Sequence, residues 1–125
     1  MILDTNAIFS AADQDPAIAM VLSGADRVWI PVVALGEYRY GIERSRHRDR
    51  YKIWLEAFIA DCTVLDVVLE TSFHYAELVA EVRRVGKPIP TNDLWIAALS
   101  RQHALPLLSR DHHFDVIPAL RRLTW

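Results

Sequence analysis

Short apolar runs alternate with helical stretches along the whole chain, and that alternation admits little besides a mainly parallel α/β sheet. The runs fall at Ile2-Leu3, Arg27 to Ile30 ahead of Pro31, Thr63 to Val68 and Leu105 to Ser109, with Leu123 to Trp125 as a further candidate strand. Between them the spacing predicts helices over Pro16–Ser23, Val32–Arg44, Arg48–Ala60, Glu70–Val85 and Asn92–His103. In Glu70–Val85, Tyr75, Leu78, Val79 and Val82 recur every three or four residues and make one buried stripe. Leu94 to Leu99 is continuously apolar, so its helix should be packed on several sides and hold its start rigidly. Gly24 closes the first of these helices, Gly86 with Pro88 and Pro90 ends the fourth, and Thr91 is placed to cap the last.

A chain of 125 residues with 52% hydrophobic composition can bury one core, so residues 1–125 are expected to form a single domain. Cys62 is the only cysteine, which excludes an internal disulfide and a cysteine-based zinc site and fits a reducing compartment. The chain opens on Ile2-Leu3-Asp4 with no leader-like segment and no run of membrane-spanning length, so a cytoplasmic protein is expected. A net charge of −2 does not by itself suggest a nucleic-acid partner. Its distribution does more, because Arg44 to Lys52 carries five basic residues against one acid.

The acids are placed differently. Asp4, Glu37, Asp93 and Asp111 each follow an apolar run or stand near a helix start, where a parallel fold gathers its loop ends. Carboxylates drawn together repel, and a hard divalent cation such as Mg²⁺ or Mn²⁺ relieves that repulsion. Each acid also has a plainer reading. Asp4 could start a turn, Glu37 alone would be a solvated helix residue, and Asp93 could complement a helix dipole. Thr5 and Asn6 could orient Asp4 or cap the next helix. His112 and His113 lack zinc spacing and are expected to meet substrate or solvent, Phe114 to plug the core, and Asp115 to serve either a turn or the acid cluster's outer shell. Trp29, Tyr40, Trp54 and Trp95 are read as core rather than as base-stacking platforms.

Taken together, Leu3-Asp4-Thr5-Asn6, Glu37-Tyr38 with Gly41, Asn92 to Ala98, and Ser109 to Phe114 resemble a PIN-domain ribonuclease of the VapC-type toxin class, over the whole chain. Ser109 stands where that family often has Thr. The resemblance implies a three-layer α/β/α fold, a homodimer, and a small cognate antitoxin that joins it in a larger complex and blocks the groove. It also implies that Asp4, Glu37, Asp93 and Asp111 are the catalytic and metal-binding acids, with Asp4 and Asp93 as principal ligands and Thr5, Asn6, Asn92 and Ser109 in support.

The chemistry expected is hydrolysis of RNA by water activated at one or two Mg²⁺ or Mn²⁺ ions. Arg39, Arg44, Arg46, Arg48 and Arg50 either hold the RNA backbone or form a solvated helix face. Two rivals differ in kind. An aspartyl phosphotransferase would use Asp4 as nucleophile, but it wants an Asp where Asn6 stands. A non-catalytic module would use the acidic pocket only to receive an Arg-bearing partner.

Overall fold

The computed structural model describes residues 1–125. Five short strands, β1 (Ile2–Leu3), β2 (Trp29–Pro31), β3 (Thr63–Leu65), β4 (Leu107–Leu108) and β5 (Arg122–Leu123), make one sheet in the order β3-β2-β1-β4-β5. Every neighbouring pair is parallel. The chain runs outward from β1 to β3, then returns past β1 to lay down β4 and β5. Strand order therefore reverses at β1, and the carboxyl end of such a strand borders the crevice where open α/β sheets bind ligands.

Six helices connect the strands: α1 (Thr5–Ala12), α2 (Pro16–Ser23), α3 (Val32–Ile42), α4 (Arg48–Ala60), α5 (Leu69–Val85) and α6 (Thr91–His103). Parallel crossovers are right-handed. The helices between β1 and β3 therefore cover one face, and α5 with α6, on the returning crossover, covers the other, giving three layers. The central strands are shielded on both sides, with Ile2, Leu3, Leu107 and Leu108 fully buried. Phe114 is fully buried too, as expected of a plug under its loop.

Two glycines matter for this arrangement. A Cβ on Gly41 would lie 2.7 Å from Cζ of Phe9, so glycine allows α1 and α3 to pack as closely as they do. Gly86 takes φ 71° and closes α5 in the left-handed conformation.

Several boundaries differ from expectation. The ladder pairing at Thr63 to Leu65 ends where its partner β2 ends, so Asp66 to Val68 is not strand. At Leu105 to Ser109 only Leu107 and Leu108 are strand, and the last strand is Arg122–Leu123 rather than Leu123 to Trp125. The second strand is shifted to Trp29–Pro31, and α3 stops at Ile42, short of Arg44. Thr91 does not cap α6; Pro90 occupies that position without a side-chain bond and Thr91 is already helical. The apolar stripe of α5 and the all-round burial of Ile96 to Leu99 are as expected.

Candidate active site

Asp4 leaves the carboxyl end of β1 and becomes the N-cap of α1, accepting from the amide of Thr5 at 2.7 Å through Oδ1. Its Oδ2 accepts from Asn6 Nδ2 at 2.7 Å and from Ser109 Oγ at 2.6 Å. Ser109 follows β4, so this last bond ties together the ends of the two central strands. The hydroxyl of Ser109 is saturated: it donates to Asp4 and accepts from Asn6 Nδ2 at 3.1 Å and from the amide of Asp111 at 2.9 Å. Asn6 is thus a member of the network and not a helix cap. Its Oδ1 in turn accepts from the amide of Arg110 at 3.3 Å.

Glu37 reaches the same place from the second turn of α3. Thr5 Oγ1 donates to its Oε2 at 2.5 Å, and Asn92 Nδ2 donates to its Oε1 at 2.7 Å. Both oxygens are held, one from α1 and one from α6. The neighbour of Asn92, Asp93, lies in the first turn of α6, which is anchored by the buried residues Leu94 and Ile96 to Ser100. Asp111 caps the short 3₁₀ turn His112–Val116 by accepting from the amide of His113 at 2.9 Å. Asp4, Glu37, Asp93 and Asp111 all line one open cleft of about 540 Å³, together with Thr5, Asn6, Phe9, Tyr40 and Asn92. Asp4 and Asp93 therefore face the same space.

The electrostatics follow from this crowding. Burial raises the pKa of Asp93 to about 6, and the charges of Asp4, Asp111 and Glu37 push it the same way, against a lowering hydrogen bond from His113. Asp4 is only 4% exposed, and burial raises its pKa too, opposed by the bonds from Ser109 and Thr5. A cleft whose anions resist ionisation has a donor set suited to a hard divalent cation, which takes oxygen ligands and lowers the cost of the negative charge. Asp93, Asp111 and His113 each present a ligand atom, and these atoms lie within 4.8 Å of one another.

Sequence alone left His113 to meet substrate or solvent; in the fold it stands among the acids. Its Nδ1 stands 3.0 Å from Asp111 Oδ1 and 3.6 Å from Asp93 Oδ2, so it bridges two acids from different elements. The clamp on its loop was also unforeseen. Arg122, on β5, makes two bonds to Asp115, at 2.6 and 2.9 Å, and donates to the carbonyl of Ser109 at 2.9 Å. These bonds, with His112, hold the Asp115 carboxyl down at a pKa of about 2. Asp115 accordingly secures the loop from outside the cleft.

None of Arg39, Arg44, Arg46, Arg48 and Arg50 lines the carboxylate cleft. Arg39 pairs with Glu56 at 3.1 Å, Arg48 with Glu43 at 3.5 Å, and Arg50 lies over the ring of Tyr51. Of the four aromatics, Trp29 and Trp54 pack against the core as expected, and Trp95 is half-buried, stacked on Tyr75 with ring centroids 3.9 Å apart. Tyr40 does not: it is 81% exposed at the mouth of the cleft, because it follows Glu37 by one turn on the same face of α3.

Comparison with known proteins places this geometry in context. The PIN domain family profile matches residues 1–120. A curated relative from Haemophilus influenzae, named Ribonuclease VapC2, is 29% identical over 98% of this chain and 96% of its own length. A DNA-bound VapBC from Salmonella typhimurium superposes with a TM-score of 0.89 at 29% identity, covering 99% of this chain and 96% of that one. VapBC-5 of Mycobacterium tuberculosis, a member of the VapBC family of toxin–antitoxin systems, gives a TM-score of 0.79 at 27% identity over 99% and 97% of the two chains.

Proposed function

The chain belongs to the PIN-domain family, and on that premise we propose that it is an RNA-cleaving hydrolase, the toxin of a toxin–antitoxin pair, with Asp4, Glu37, Asp93 and Asp111 as its catalytic acids. The observation that carries this reading is the meeting of four carboxylates from β1, α3, α6 and the loop after β4 in one cleft at the strand-order reversal. The ribonuclease name of the Haemophilus relative and the VapBC neighbours support the substrate and the partner.

Asp4, Asp93, Asp111 and Glu37 would hold Mg²⁺ or Mn²⁺, which supplies Lewis-acid stabilisation of phosphate charge and an acidified water when bound. The chain's own residues do the rest. Thr5 and Asn92 fix Glu37 through both oxygens, and Ser109 and Asn6 fix Asp4, so the acids are held before substrate arrives. Water forms the new bond to phosphorus as the bond to the leaving oxygen breaks. Glu37 and Asp111 orient that water and take up its proton. No side chain becomes covalently attached.

Such a toxin works in the cytoplasm as a homodimer held in check by its cognate antitoxin. No helix is long and apolar enough to cross a membrane. The test is to incubate the antitoxin-free protein with RNA and Mn²⁺, with and without EDTA. Cleavage should require the metal and disappear in Asp4→Asn while the variant keeps its fold. Undiminished cleavage by Asp4→Asn would refute the assignment. A protein that bound its antitoxin but cut no RNA would be a binding module instead.

A further inference from the structure

Beside the carboxylate cleft, and sharing Asn6 and Asp111 with it, lies a second open recess of about 570 Å³. Its character is opposite. Lys87, Arg110, His112 and His113 line it, and Asp111, at the shared border, is its only acid. We propose that this recess seats a backbone phosphate of the substrate RNA, the one next to the scissile phosphate held over the carboxylates. The inference rests on the RNA-cleavage reading above and adds to it the direction in which the strand leaves the reacting centre.

The argument begins with charge. A protein of net charge −2 has no general basic surface to draw in a polyanion, and its catalytic cleft is lined by four acids. A cation at the reacting centre can neutralise charge there, but each flanking phosphate still approaches an acidic wall. Positive side chains are needed one nucleotide away, and the recess is where the structure places them.

The residues themselves are poised for this role. Lys52 pairs with Glu43, whereas Lys87 stands in none of the ion pairs of the chain, so its ammonium is available to a ligand. It sits between Gly86, in the left-handed conformation, and Pro88, which restricts the backbone that carries it. Arg110 is pre-oriented: its guanidinium lies 4.3 Å over the ring of Trp125 and uses one contact on Asp15, at 3.1 Å. A guanidinium has five N–H donors, so most remain for an anion. His112 engages Asp115 and Arg122 through Nδ1 and makes no hydrogen bond through Nε2. By contrast, the arginines of α3 and α4 line neither space.

The decisive experiment uses Lys87, because it is exposed and unpaired and its variants should fold. Binding of a short fluorescent single-stranded RNA is measured by anisotropy in EDTA, as a function of salt, for the intact protein and for Lys87→Ala, Lys87→Arg and Lys87→Glu. Losing one phosphate contact should reduce the slope of log affinity against log salt by about 0.7. Lys87→Arg should restore it and Lys87→Glu should weaken binding further. In Mn²⁺, Lys87→Ala should raise KM by a larger factor than it lowers kcat. A neutral methylphosphonate at the flanking position should weaken binding to the intact protein, and weaken it by a smaller factor in Lys87→Ala, which has already lost one of the contacts. Unchanged affinity and slope in both Lys87→Ala and Lys87→Glu would overturn the proposal. If the intact protein cuts no RNA, the cleavage reading fails by itself, and the anisotropy series still decides whether the recess takes phosphate.

Discussion

Replacing Asp93 by Asn should make the metal-free protein more stable while destroying its activity. Its pKa stands near 6 in the fold, against ~3.9 for an unfolded Asp, because it is buried among Asp4, Asp111 and Glu37. The sign follows from linkage. Below about pH 4 the group is protonated in both states and costs nothing; as pH rises to about 6 the unfolded chain ionises first, so the fold loses stability across that window and stays destabilised above it. Two pKa units correspond to about 3 kcal/mol. The Asp93 side chain is 14% exposed and solvent screens part of its charge. Asn also gives up the contact with His113, so a net gain of about 1–2 kcal/mol is expected, or roughly 4–8 °C in Tm for a domain of this size. Thermal melts in EDTA should show Asp93→Asn above the parent at about pH 7 and level with it at about pH 4. Saturating Mn²⁺ should reverse the order by stabilising only the parent. A variant that melts lower at both pH values in EDTA would refute the view that Asp93 carries a strained charge.

Other perturbations read the scaffold. Ser109→Ala removes a donor from Asp4 and leaves the amide of Asp111 without its partner, so it should cost about 1–3 kcal/mol and slow cleavage, whereas Ser109→Thr should retain both in denaturant titrations and RNA assays. Gly41→Ala would force a methyl against Phe9 and should destabilise by about 1–3 kcal/mol in the same titrations. A gain in stability there would show that the ring moves aside freely.

Much of this was legible in the sequence because apolar runs and helix signals are local. The strands came out too long because an apolar run reads as strand beyond the residues that pair: Val67 and Val68 are apolar yet exposed and outside the ladder. Helix α1 was not delimited, since Asp4-Thr5-Asn6 reads as a turn and the cap lies in the motif itself. The four acids could be picked out from their positions after apolar runs, and the structure brings them to one cleft. His113 could not be picked out in that way, because its role depends on a side chain reaching Asp93 from another element. The same holds for Arg122, whose bonds to Asp115 and Ser109 join β5 to the loop, and for the basic recess, assembled from residues far apart in the chain. The basic run of α3 and α4 was conspicuous in one dimension, but its arginines lie outside the cleft.

The central claim is that these carboxylates share a divalent cation. Anomalous diffraction from crystals soaked in Mn²⁺ tests it directly. The account predicts a manganese peak within coordinating distance of Asp4 and Asp93, bordered by Asp111 and Glu37, and its loss in Asp93→Asn. A cleft without manganese at saturating concentration, or a peak held only by residues elsewhere on the surface, would contradict it.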